Sequence, residues 1–259
     1  MRLSGTVYSE VLEMDTPLSV ITPNDLKREE PYNVAYILHG LRGNACSWPD
    51  YSMLPVYAIG GRTVYILPDA GRSFYTDMRH GFRYFTYITE ELPQICRSLF
   101  RVSADREHTA VMGASMGGYG ALKCALARPE QYGMCGAFSS GCLFIREDLE
   151  QLRSAGFDEA EKMFGRQLVN DIPSVFGEDL AWKPEYELTE LAANAARKGI
   201  LPRIYMTCGT RDRFLPAHVK FTNALDEIGI PYEFEQWEAG HDFLCFDEAI
   251  KRAIFRFEL

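Results

Sequence analysis

Apolar and polar positions alternate through residues 1 to 22, as in Gly5-Thr6-Val7-Tyr8-Ser9-Glu10-Val11. A period of two marks half-buried strands, so two antiparallel edge strands are predicted, joined near Met14 to Pro17. Asn24 to Pro31 is polar and predicts a turn-rich connection. Tyr32 to Leu38 is a short apolar run ending at His39-Gly40, the pattern of a buried strand. Leu41 to Asp50 contains Gly and Pro and predicts a loop, followed by a short helix or irregular segment to about Ala58. Thr63 to Asp69 predicts another buried strand, and Ala70 to Gly81 a polar and aromatic loop. From Phe82 to Phe100 the residues Tyr84, Tyr87, Ile88, Leu92, Ile95 and Leu99 recur at helical spacing. Pro93 inside that segment predicts a bend.

Thr109 to Met112 predicts a buried strand and Tyr119 to Ala127 a helix, because the latter is rich in Ala and Leu without β-branching. Gly133 to Ser139 predicts a further strand. Residues 141 to 198 then break the rhythm, with short helices predicted at Leu143 to Leu152, Asp158 to Phe164 and Tyr186 to Lys198. The block is too small for a core of its own, so it reads as a helical cap inserted into a single domain spanning 1–259. The alternation resumes with a strand at Arg203 to Cys208, a helix at Ala217 to Ile228, a strand at Tyr232 to Trp237 and a final helix within His241 to Phe257. Strands alternating with helices predict an α/β fold with a mainly parallel central sheet flanked by helices. Reactive groups in such a sheet collect at the carboxyl ends of the strands.

Composition narrows the partners. A length of 259 residues with 47% hydrophobic and 24% charged positions suits one large soluble domain. No apolar run of about 18 residues is present, so no membrane span or stable membrane association is expected. Met1-Arg2-Leu3-Ser4-Gly5-Thr6 lacks the apolar core of a signal peptide, which makes a cytoplasmic location the expectation. The net charge of −9, without a dense Lys/Arg tract, argues against nucleic acid as a partner. Seven cysteines without a C-x-x-C pair read as reduced, mostly buried thiols. The histidines show no metal-ligand spacing, and neither a metal nor a cofactor is expected.

The candidate chemistry centres on Gly113-Ala114-Ser115-Met116-Gly117, a G-x-S-x-G sequence between a predicted strand and a predicted helix. A serine at that corner is held in a strained conformation with its hydroxyl exposed, and the flanking glycines leave room for the turn. A serine hydroxyl needs a base to remove its proton and a carboxylate to orient that base. His241, in Glu238-Ala239-Gly240-His241-Asp242 after the last strand, is the candidate base. Asp212, in Cys208-Gly209-Thr210-Arg211-Asp212, is the candidate acid; the alternative for it is a helix cap. Asp242 is adjacent to His241 and Asp69 precedes the serine, so both fit less well. The oxyanion hole is expected from the backbone N–H groups of Met116 and Leu41, the latter in His39-Gly40-Leu41-Arg42-Gly43-Asn44. His39 is expected to brace that loop rather than to act as a base. Tyr119, Asp77 and Trp182 are weaker candidates for substrate contact.

These pieces together resemble the esterase D family of α/β-hydrolases, which includes tributyrin esterases, S-formylglutathione hydrolases, feruloyl esterases and antigen 85 mycolyltransferases. The resemblance is carried by residues 39–44, by Gly113 to Ala121, by Gly209-Thr210-Arg211-Asp212 and by Gly240-His241-Asp242. Residues 72–78 and 84–93 look most like the tributyrin esterase branch. The resemblance implies a triad of Ser115, Asp212 and His241 that hydrolyses carboxylic esters of small molecules without metal or cofactor. It also implies an acyl pocket near Phe74 and Tyr75, whose rings could stack on a phenolic acyl group. Family members often carry Trp after the His-Asp pair, where this chain has Phe243. A short-chain acyl ester is the expected substrate. Alternatives are a feruloyl or acetyl ester of plant carbohydrate, a glutathione thioester, acyl transfer to an added alcohol, and an inactive binding protein with the same fold. Exposed aromatic residues in the cap would support a homo-oligomer.

Overall fold

A computed structural model describes residues 1–24 and 31–259. Most of the expected connection from Asn24 to Pro31 therefore lies outside the described residues. The elements run in chain order as strand β1 (Arg2–Ser9), β2 (Met14–Ile21), β3 (Asn33–Leu38), helices α1 (Ser47–Tyr51) and α2 (Leu54–Tyr57), and β4 (Thr63–Pro68). A composite helix follows: α3 (Tyr84–Thr86), a π-helical turn (Tyr87–Glu91) and α4 (Leu92–Leu99). Then come β5 (Thr109–Ala114), α5 (Met116–Ala127) and β6 (Met134–Phe138). Helices α6 (Ile145–Ala155), α7 (Asp158–Phe164), α8 (Arg166–Phe176) and α9 (Leu188–Lys198) separate β6 from β7 (Arg203–Gly209). The chain closes with α10 (Leu215–Ile228), β8 (Tyr232–Trp237) and α11 (Phe243–Phe257).

Among the described residues the strands form one sheet of order β1-β2-β4-β3-β5-β6-β7-β8. β1 and β2 pair antiparallel, as do β2 and β4. From β4 to β8 every neighbouring pair is parallel. The central strands β3, β4, β5 and β6 are buried along almost their whole length, which is why they read as continuous apolar runs rather than alternating ones. Two apolar cores, one on each face, hold the sheet between helices: α5 and α9 contribute to one, α11 to the other. Among the described residues no helix is long and apolar enough to cross a membrane.

Several boundaries differ from the sequence expectation for identifiable reasons. The joint of the first hairpin lies at residues 10–13, not at Met14 to Pro17, which belong to β2. Glu91 fixes that turn by accepting the N–H groups of Glu10 (2.7 Å) and Val11 (3.3 Å). β2 is also not an edge strand, since it pairs with both β1 and β4. The loop expected over Leu41 to Asp50 becomes helical from Ser47. The bend expected at Pro93 takes the form of the π-turn before it, where the Leu92 N–H reaches back to the Tyr87 carbonyl. A wider turn accommodates a ring that would otherwise crowd the carbonyl four residues earlier. Helix α8 lies where the sequence reading places no helix; it holds Pro173, yet Leu168, Ile172, Val175 and Phe176 keep helical spacing and form its buried face.

Candidate active site

Ser115 stands between the end of β5 and the first residue of α5 with φ 59° and ψ −121°. A positive φ is costly for a residue with a Cβ and persists only where the surroundings impose it. Here the Ser115 N–H donates to the Phe138 carbonyl at 2.9 Å, and its carbonyl accepts from Gly118 (3.0 Å) and Gly141 (3.2 Å). The flanking glycines are sterically required. A Cβ on Gly113 would lie 2.5 Å from the Gly117 oxygen, and one on Gly117 would lie 2.3 Å from the Leu38 oxygen. α5 can therefore start immediately at the carboxyl end of β5. Met116, as its first residue, has an N–H with no intrahelical acceptor.

The three side chains expected to act together do meet, although 126 residues separate Ser115 from His241. The Ser115 Oγ lies 3.0 Å from His241 Nε2, and His241 Nδ1 lies 2.8 Å from Asp212 Oδ2. An ionised carboxylate accepts only, so Nδ1 carries the proton and Nε2 is free to accept from the serine. Asp212 and His241 follow β7 and β8, and Ser115 follows β5, so all three sit at the carboxyl edge of the parallel strands. The other oxygen of Asp212 accepts the Phe214 N–H at 3.0 Å. Asp212 therefore also ties down the turn into α10, the role weighed against it as an alternative. Burial opposes its charge, but hydrogen bonds from His241 and the Phe214 amide outweigh that and hold its carboxyl below the usual value. Phe214 and Phe246 meet the His241 ring edge-on, each with centroids 5.1 Å away.

The loop after β3 lies against this corner. A Cβ on Gly40 would be 3.5 Å from the Ser115 Cβ. His39 braces the loop as expected. Its Nε2 accepts the Ala70 N–H at 3.0 Å and its Nδ1 donates to the Gly40 carbonyl at 2.8 Å. That pair of bonds requires the neutral ring, and burial pushes its pKa down to match. Tyr75 donates its hydroxyl to the His39 carbonyl at 2.8 Å. Arg72 donates through Nη1 to the Leu41 carbonyl at 3.1 Å and through Nε to Asp171 at 2.6 Å.

The aromatic loop corrects one expectation. Phe74 and Tyr75 are 4% and 0% exposed, so neither offers a ring face to an acyl group. Both have positive φ, and their rings turn inward, Tyr75 to the space over Gly120 and Phe74 to Phe176. Tyr119 is likewise buried, with its hydroxyl donated to the Tyr186 carbonyl at 2.7 Å. Asp77 is engaged by the Thr86 N–H and hydroxyl at 2.9 and 2.7 Å. Phe243 packs on Trp48, Tyr51 and Phe246. Sequence reasoning missed Arg72, Asp171 and His218. His218 is buried on α10, where its Nε2 accepts the Ser140 N–H at 2.8 Å and burial pushes its pKa down to about 4. A lone histidine on an amphipathic helix carries no signal of that task. Among the described residues no three His, Cys, Asp or Glu side chains are placed to hold a metal ion.

A mostly parallel sheet with serine, acid and histidine at its carboxyl edge in that chain order defines the α/β-hydrolase class. Within it the chain belongs to the Esterase family, described as "Putative esterase", whose model matches residues 9–257. It is an esterase, a carboxylic ester hydrolase of the serine type. An acetyl esterase from Caldicellulosiruptor saccharolyticus is 28% identical over 258 residues, 95% of this chain and 94% of that protein. The fluorophosphonate-binding serine hydrolase FphF of Staphylococcus aureus superposes with a TM-score of 0.85 at 25% identity, covering 100% of this chain and 98% of its own. The S-formylglutathione hydrolase FrmB of Staphylococcus aureus gives 0.80 at 25% identity, with 100% and 99% covered.

Proposed function

We propose that Ser115, His241 and Asp212 are the catalytic triad and that turnover proceeds through an acyl-enzyme on Ser115. The observation that carries this reading is the continuous hydrogen-bond chain from the Ser115 hydroxyl through His241 to Asp212. Ser115 attacks the ester carbonyl while His241 Nε2 takes its proton. The N–H groups of Leu41 and Met116 stabilise the oxyanion, each contributing roughly 3 kcal/mol to the transition state. His241 then protonates the departing alcohol, and water repeats the sequence to release the acid. Asp212 keeps Nδ1 protonated and stabilises the imidazolium that forms in each step.

The substrate we infer is a short-chain acyl ester of a small molecule. The acetyl esterase that aligns along nearly the whole chain favours a small acyl group. Helices α6 to α9, within the expected cap at about 141–198, act as the part that shapes the acyl site. The contact of Asp171 in α8 with Arg72, which holds Leu41, supports that role. A second reading, thioester hydrolysis of the S-formylglutathione type, is favoured by the match to FrmB along the whole chain. The test is hydrolysis of p-nitrophenyl esters from acetate to decanoate, with methyl ferulate and S-formylglutathione alongside, by wild type and Ser115→Ala. Serine-dependent turnover that peaks at acetate or butyrate is the expected result. A strong preference for S-formylglutathione would move the assignment to the thioesterase, and no serine-dependent turnover would overturn both.

A further inference from the structure

A cavity of about 550 Å³ opens beside the second half of α5, bounded by the loop after β4 and by α9. Its lining includes none of Ser115, Asp212 and His241. The volume is in the range of small-molecule sites. One of its walls is Lys123, only 2% exposed. An ammonium has three donors. Among the described residues the one hydrogen bond of Lys123 goes to the Thr76 hydroxyl, at 2.7 Å, and no carboxylate forms an ion pair with it. Three rings surround the charge instead, with centroids 5.1 Å (Phe85), 5.5 Å (Tyr186) and 5.8 Å (Tyr119) from Nζ.

Burying an ammonium is costly unless it is paired or hydrogen-bonded. Burial pushes the Lys123 pKa down to about 8 against the longer-range attraction of Asp77 and Glu185, which still leaves the group mostly charged at neutral pH. Ring faces offset part of the lost hydration. They do not satisfy N–H donors.

The other charges around the cavity have the same sign in majority. Arg128, Arg197 and Lys198 line it with Lys123, against Asp77 and Glu185, and Arg128 pairs with Glu90 at 3.0 Å. Asp77 is committed to the Thr86 N–H and hydroxyl, and Glu185 lies 3.6 Å from Lys183. Phe85, Leu126 and Leu191 supply apolar wall between the charges. A single buried cation beside apolar surface suits one negative charge on an apolar body. A dianion would meet Asp77 and Glu185 with no second buried cation to balance it.

We propose that this cavity is a second binding site that takes a small organic monocarboxylate, its carboxylate on the Lys123 ammonium and its apolar body against Phe85 and Leu126. The site is separate from ester hydrolysis and stands whether or not the triad assignment does.

The test is calorimetric titration with benzoate, and with benzamide as its neutral counterpart, on wild type, Lys123→Met and Arg197→Glu. Met keeps the length of the side chain and removes the charge. Arg197 is exposed on the rim, so its variant keeps the folded core. Wild type is expected to bind benzoate saturably and benzamide at least about tenfold more weakly. K123M is expected to bind benzoate at least about tenfold more weakly than wild type while its kcat/KM on p-nitrophenyl acetate is unchanged. Should K123M fail to fold, the decision passes to R197E, for which a several-fold loss of benzoate affinity is expected. The proposal is overturned by no saturable benzoate binding in wild type, by equal binding of benzamide, by unchanged benzoate affinity in K123M or, where K123M does not fold, by unchanged benzoate affinity in R197E.

Discussion

Arg72 holds the peptide that follows Leu41: its Nη1 donates to the Leu41 carbonyl oxygen at 3.1 Å. Planarity ties that carbonyl to the Arg42 N–H, while the Leu41 N–H shares its plane with the Gly40 carbonyl that His39 holds; fixing both peptides restricts the two Leu41 dihedrals that aim its N–H. The same guanidinium donates to Asp171 at 2.6 Å, so α8 is tied to the loop that carries Leu41, proposed to hold the oxyanion. Arg72→Ala is predicted to lower kcat for p-nitrophenyl acetate about tenfold or more, with KM little changed. The reasoning is that removing an oxyanion donor outright costs about 10²–10³ in kcat, and a misaligned donor costs less. Arg72→Lys should recover little of the loss, because an ammonium cannot serve both directions of a planar fork. Unchanged kcat in Arg72→Ala, measured with purified folded enzyme, would remove Arg72 from this role.

The glycines around Ser115 and in the loop beside it differ sharply in what they tolerate. A Cβ on Gly117 would meet backbone, the Leu38 oxygen at 2.3 Å, and backbone cannot swing aside. A Cβ on Gly40 would meet the Ala114 oxygen and the Ser115 Cβ at 3.5 Å, an ordinary contact. Gly117→Ala is therefore predicted to be destabilised by several kcal/mol, on the order of the largest single-residue effects, or to be insoluble. Gly40→Ala should unfold within about 1 kcal/mol of wild type. Urea denaturation of the two variants decides, and equal stabilities would contradict the packing described for the corner.

Two buried histidines make the fold sensitive to acid. His218 has its pKa pushed down by burial to about 4, and His39 is also lowered by burial. A histidine depressed in the folded state binds a proton more readily once unfolded, where its pKa is about 6.5. Its contribution is complete above about pH 6.5 and is lost as the pH falls towards the folded value. For His218 the whole window is worth roughly 3 kcal/mol at 1.4 kcal/mol per unit. Unfolding free energy should therefore drop between pH 7 and pH 5 and drop less steeply in His218→Gln. Identical pH slopes for wild type and His218→Gln would show that His218 does not carry that proton uptake.

The meeting of Ser115, Asp212 and His241 was legible in the sequence because each of these triad candidates follows a patterned strand. Ser115 follows an apolar run between Gly113 and Gly117, where a Cβ would meet backbone, and Asp212 and His241 lie in the loops after β7 and β8. Helix α8 keeps the helical spacing of Leu168, Ile172, Val175 and Phe176, but Pro173 inside it is a residue that argues against a helix. The direction of Phe74 and Tyr75 was unreadable for a different reason. Their inward turn depends on positive φ at both residues, which spacing does not encode, and the Tyr75 ring fills the room that Gly120 leaves. Arg72 and Asp171 are 99 residues apart, and a contact at that separation is set by tertiary packing alone.

The central claim is that acyl transfer passes through Ser115, and the most direct measurement is to trap that intermediate. Enzyme is mixed with p-nitrophenyl acetate, quenched in acid during the first turnover, and its mass determined before and after proteolysis, with Ser115→Ala in parallel. The account predicts a stoichiometric burst of p-nitrophenol, one added acetyl group on the peptide containing Ser115, and neither in the variant. Continued turnover with no acetyl group on Ser115, or undiminished turnover by Ser115→Ala, would contradict it.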